Sequence, residues 1–127
     1  VKLLLDTHAL IWFLESDTRL SDTARKAIQQ TDALLAVSIV SLWEMAIKVS
    51  IGKLTLAHSL ADVFKQLATI EFELLHIHPD DLLLLSAMPF HHTNPFDRLL
   101  VAQSLRLNFS FISRDVALDL YGISRIW

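Results

Sequence analysis

The sequence predicts a three-layer α/β/α domain on a central, mainly parallel sheet. Two observations carry this. Short strand-like runs alternate along the whole chain with longer stretches whose apolar positions recur at helical spacing. The first two runs, KLLLD and ALLAVS, are apolar at consecutive positions, as strands covered on both faces are.

Residues 2–6 form the first buried strand and THALIWFLE the helix that follows it. SDTRLSDTARKAIQQ holds a loop and then a polar-faced helix beginning near Ser21. ALLAVS, residues 33–38, is the second strand. Residues 39–51 repeat apolar positions around most of a helix, which predicts a buried one, stopped near Gly52. HSLADVFKQLATI is amphipathic, and FELLHI is the third strand. Pro79 opens a short helix over PDDLLLLSAM, at whose first turn a missing N–H costs nothing, and Pro89 closes it. Pro95 starts a long helix to about Leu107. FSFIS is the fourth strand, DVALDLYG a short helix and GISRIW the last strand. With 127 residues and no linker or repeat, residues 1–127 are expected to form a single domain.

Hydrophobic residues make up 53% of the chain and mean hydropathy is +0.44, so either the core is very full or apolar surface is kept for another chain. The formal charge of −3 argues against a broad basic platform for nucleic acid. The absence of cysteine removes disulfide and thiolate chemistry. No signal peptide is evident, and the longest apolar run, ALLAVSIVSLW, is too short for a membrane span, so a cytoplasmic protein is expected. Two glycines exclude a phosphate-binding loop or a dinucleotide fingerprint. His76 and His78 share one face of the predicted third strand and His91-His92 sits in a loop; neither has the spacing of a zinc site. Trp12, Trp43 and the phenylalanines read as core.

Four acids stand where a solvated charge is out of place. Asp6 ends the first strand, Glu44 interrupts an apolar helix, Asp97 follows a helix start and Asp115 follows the fourth strand. Each has a local explanation. Asp6 suits a helix cap. Glu44 can pair with Lys48 one turn on. Asp97, third after an Asn94 cap and Pro95, favours its helix dipole, and Asp115 can decorate a short helix capped by Ser113. Together they map to one sheet edge, and a converged carboxylate cluster needs cations, which points to divalent metal chemistry. Arg98 and Arg114 each neighbour one of these acids and suit ion pairs or phosphate contacts.

LLLDTHALIW, SIVSLWEMAIKVSIGKL, NPFDRLLVAQSL and FISRDVALDLYGISRIW, in that order over essentially the whole chain, closely resemble the PIN-domain ribonucleases. Within them the chain looks like the VapC toxins of prokaryotic type II toxin–antitoxin systems. The resemblance implies a PIN-like fold. It makes Asp6, Glu44 and Asp97 the core catalytic and metal-binding acids, Asp115 a more variable fourth, and Thr7 and Ser113 supporting hydroxyls. Asn94 departs from the acid common at its position, and Ser113 from a frequent threonine. The implied activity is endoribonucleolytic hydrolysis with one or two Mg²⁺ or Mn²⁺ ions, and Lys48, Arg98 and Arg114 are candidates to meet RNA phosphates. The implied partners are an RNA substrate, a VapB-type antitoxin and a second copy in a homodimer.

Competing readings fit less well. A receiver-type phosphoacceptor needs an acid pair after the first strand and a lysine after the last; LLLDTH offers one acid and no such lysine follows. A haloacid-dehalogenase-like phosphatase needs Asp-x-Asp there, and His8 stands in the third place. A non-catalytic PIN-fold interaction module would carry a substituted core acid, and none is substituted.

Overall fold

A computed structural model describes residues 1–127. Its strands are β1 (Lys2–Leu5), β2 (Leu34–Ser38), β3 (Glu73–Leu75), β4 (Ser110–Ile112) and β5 (Arg125–Ile126). Its helices are α1 (Thr7–Leu14), α2 (Asp22–Ile28), α3 (Ile39–Ser50), α4 (Leu60–Ile70), α5 (Pro79–Ala87) and α6 (Pro95–Leu107), with a 3₁₀ helix at Val116–Tyr121. The five strands pair in parallel in the order β3-β2-β1-β4-β5.

Successive strand residues point to opposite faces, and the two apolar cores follow that period. Leu3, Leu5, Val37 and Ile112 face α1, α2 and α4. Leu4, Ala36 and Phe111 face α6, whose Leu99–Ala102 are buried against them. This is why β1 reads apolar without alternation: both its faces are covered.

Chain order sets where a site can form. From β1 the chain moves outward through β2 and β3, then returns to add β4 and β5 on the other side of β1. The order therefore reverses between β1 and β4, and a crevice opens beyond their carboxyl ends. The Asp6 amide donates to Ile112 O at 3.0 Å and closes its floor.

Three elements and several aromatic side chains differ from the sequence expectation. β3 covers Glu73–Leu75 alone, because His78 leaves the sheet to cap α5: its Nδ1 accepts from the Asp80 amide at 3.1 Å. His76 and His78 therefore do not share a strand face. The helix predicted as buried all round, α3, buries Val40, Ser41, Glu44 and Met45 but leaves Trp43 54% exposed and Val49 39% exposed. Trp43 rests edge-on against Phe96, and Phe90 is 81% exposed, so these aromatics are not core. The cap before the 3₁₀ helix is Asp115, whose Oδ1 accepts from Ala117 N at 3.1 Å; Ser113 Oγ accepts from the Asp115 amide one step earlier.

Candidate active site

β1 ends at Leu5, and Asp6 turns the chain into α1 with extended backbone while its Oδ1 accepts from the Ala9 amide at 2.7 Å. The capping and site readings are thus one fact: the switch-point crevice begins where α1 must be capped. Burial raises the Asp6 carboxyl to about 6; the Ser113 hydroxyl and the Ala9 amide oppose the rise, and the charges of Glu44 and Asp115 add to it.

Asp97 arrives from the other side of the sheet. Asn94 caps α6, its Oδ1 accepting from Phe96 N at 2.9 Å and Asp97 N at 3.3 Å, with Pro95 in the first turn. Asn94 spends its side-chain oxygen on that cap. Asp97 also rises to about 6, first through burial and then through the charges of Asp6, Glu44 and Asp115, against the pull of His92.

Glu44 is 2% exposed. Thr7 Oγ1 donates to its Oε1 at 2.6 Å, with Ser41 Oγ 3.0 Å from the same hydroxyl, and Lys48 pairs with its Oε2. Lys48 is therefore committed to Glu44 rather than free for a phosphate, as the one-turn spacing allows. Arg98 is also committed elsewhere. One helical step is about 100°, so it turns away from Asp97. Only 8% exposed, it donates from Nη2 to Met88 O at 3.1 Å and lies 4.0 Å from the Phe90 ring centroid. Arg114 does line the cavity.

Asp115 meets a residue that the sequence left in a loop. His92 Nε2 lies 2.7 Å from Asp115 Oδ2 and 3.9 Å from Asp97 Oδ2. Its Nδ1 accepts from the Asn94 amide at 3.1 Å. With Nδ1 acting as acceptor, the neutral ring carries its proton on Nε2 and donates it to Asp115. His92 thus orients the fourth acid and braces the cap of the helix that carries Asp97. The loop is itself held: the amides of His91 and His92 both donate to Tyr121 Oη at 3.1 Å.

Asp6, Asp97 and Asp115 line one open cavity of about 610 Å³ with His8, Trp12, Arg19, Arg114 and Val116, and Glu44 is close enough for its charge to act on both raised carboxyls. Three of the four predicted acids thus share one cavity, and the charge of the fourth, Glu44, reaches two of them. His92, Arg19 and the cavity edge of Trp12 were not legible as site residues. Burial also lowers the His8 imidazole, with Glu44 and Asp97 opposing and Lys48 and Arg114 assisting.

A divalent cation fits this donor set. The acids offer hard oxygen ligands, and two of them hold protons near pH 6 because their charges are buried and crowded. A positive ion would relieve both causes.

The family model described as PIN domain matches residues 3–123. No curated protein matches the chain. Among solved structures, the fold is similar to VapBC2 from Rickettsia felis, solved bound to a DNA fragment from its promoter, with TM-score 0.69 and 11% identity over 95% of this chain and 93% of that one. It is also similar to VapBC-1 from nontypeable Haemophilus influenzae, with TM-score 0.65 and 16% identity over 98% and 96%. A toxin–antitoxin complex from Klebsiella pneumoniae gives 0.60 and 20% over 89% and 86%. At such identities the likeness to these structures concerns the fold.

Proposed function

The chain belongs to the PIN domain family, and we propose that it is a metal-dependent endoribonuclease, the VapC-type toxin of a toxin–antitoxin pair acting in the cytoplasm. The observation that supports this reading is one cavity at the switch point lined by Asp6, Asp97 and Asp115, with Glu44 near enough for its charge to act there. Those four carboxylates would hold the cation. Bound Mg²⁺ or Mn²⁺ would supply a water made nucleophilic at neutral pH and cover for the negative charge of the phosphodiester.

The chain's own groups set the geometry. Thr7 fixes one oxygen of Glu44 and Lys48 the other, so this buried carboxylate enters the site in one orientation. His92 turns Asp115, and Ser113 shapes the backbone leading to it. Arg114 stands on the cavity wall where an RNA phosphate would pass.

Support for an antitoxin partner comes from the similar folds, which were solved as VapBC or toxin–antitoxin complexes. Val37, Leu42, Phe64, Leu67, Phe72 and Leu74 line an apolar groove of about 330 Å³ suited to an apolar helix of a VapB-type chain. A basic side chain from that partner would compete with metal at the acids.

Purified protein incubated with RNA and Mg²⁺ or Mn²⁺ should cut it, and EDTA should stop the reaction. Asp6→Asn and Asp97→Asn should each reduce cleavage on the order of 100-fold or more. Cleavage that persists in EDTA, or that is undiminished from wild type in both variants, overturns the metal mechanism.

A further inference from the structure

The cavity has a second wall, opposite in charge to the acids. Of the chain's 11 Lys and Arg residues, Arg19 and Arg114 are the two that line the cavity. Both lie against the same indole: the guanidinium carbons are 5.1 Å and 5.0 Å from the Trp12 ring centroid. Both distances are within cation–π range. Trp12 is itself held from behind, 5.9 Å from the Trp127 ring centroid and 5.7 Å from that of His8, and is 5% exposed.

The two arginines are held in different ways. Asp17 grips Arg19 through Nε and Nη2, the latter at 2.7 Å, which fixes the guanidinium plane and leaves Nη1 outside the pair. Arg114 is exposed and belongs to no ion pair. Both guanidiniums line one cavity against one indole, so an anion there meets two sets of donors. A guanidinium presents a planar fork of donors that matches phosphate oxygens.

We propose that Arg19 and Arg114, held against Trp12, form a phosphate shelf that binds the RNA backbone beside the bond placed at Asp6, Asp97 and Asp115. This rests on the nuclease reading for the identity of the anion. It explains how an acidic protein takes a polyanion without a basic face: two of the three cations expected at the site are committed elsewhere, Lys48 to Glu44 and Arg98 to Met88 O. The shelf carries the attraction in their place. It grips backbone rather than bases, so it adds affinity without sequence preference.

The test measures binding of a short fluorescein-labelled single-stranded RNA to full-length Asp6→Asn protein with Mg²⁺ across a salt series. Each phosphate contact on a single strand contributes about 0.7 to the slope of log affinity against log salt. Arg19→Gln and Arg114→Gln should each lower the slope by about 0.7, and the double variant by about 1.4. Lys65→Gln, which removes an equal charge from the exposed side of α4, should leave the slope as it was. Equal slopes in the double variant and its parent overturn the shelf, as does an absence of RNA binding at about 50 mM salt, where phosphate contacts are strongest. Stronger capture of poly-glutamate than of RNA of equal charge would reassign it to an acidic protein. If wild-type protein fails to cut RNA while the slopes still differ, the shelf stands and the nuclease reading falls.

Discussion

Asp6 and Asp97 hold protons to about pH 6 in the folded chain, against an ordinary value of 3.8. The unfolded state therefore releases these protons first as pH rises, and folding loses free energy between about pH 4 and pH 7. The loss is complete above the folded values and absent below the unfolded ones. At about 1.4 kcal/mol per unit, Asp97 alone accounts for roughly 2–3 kcal/mol. Asp97→Asn removes the penalty, so in EDTA its stability advantage over wild type should grow as pH is raised from about 4.5 to 8. Urea midpoints at several pH values check this; a gap that does not change with pH contradicts it. His92 gives a second prediction at this scale. Gln can place a donor where Nε2 stands, whereas Asn reproduces only the Nδ1 acceptor. His92→Asn should therefore lose about 10–100-fold in cleavage, the usual cost of removing a group that orients a ligand, and His92→Gln should recover part of it. Equal loss in both variants would mean that the contact with Asp115 is not what matters.

Among the elements, α5 and α6 share a buried ion pair. Asp81 is fully buried, accepts from the His78 amide at 2.9 Å as part of the α5 cap, and faces Arg106 Nε at 2.5 Å. Burial would raise this carboxyl, but Arg106 and the His78 amide outweigh it and hold Asp81 below its ordinary value. Arg106→Ala strands a buried charge and should lower the melting temperature more than Arg19→Ala, whose partner Asp17 is partly in water. Equal shifts would show that the pair's burial is irrelevant. What was legible in the chain divides along the same line. β1, α1 and α6 could be read because the signals that form them, an apolar run, a capping Asp and Asn94-Pro95, are local, and those same signals place Asp6 and Asp97. Trp43 misled because an apolar side chain does not say whether a helix is covered on that side. Arg98 misled because a neighbour in sequence is about a quarter-turn away on a helix. His92 was silent because the hydroxyl that holds its loop belongs to Tyr121, far along the chain, and no local pattern records such a contact.

For the whole molecule, part of the high apolar content lies at the surface. Trp43, Leu83, Phe90, Val116 and Leu120 are each more than half exposed. No helix is long and apolar enough to cross a membrane. We propose that part of this surface is buried in a homodimer, at roughly 25 cal/mol per Å² of apolar area covered. Light scattering should return twice the 14.4 kDa chain mass at micromolar concentration, and a monomer there would refute it.

The central claim is that four acids contributed by distant parts of the chain form one cation site. Thermal melts of wild type and Asp97→Asn, at about pH 8 in EDTA and in excess Mg²⁺, test it most directly. The variant should melt several degrees higher than wild type in EDTA, on the order of 3–6 °C for each 1 kcal/mol of relieved repulsion. Mg²⁺ should raise the wild type by more than it raises the variant, because a ligand of the folded state stabilises only where its site is intact. A variant with the same EDTA midpoint and the same Mg²⁺ response as wild type would contradict the account.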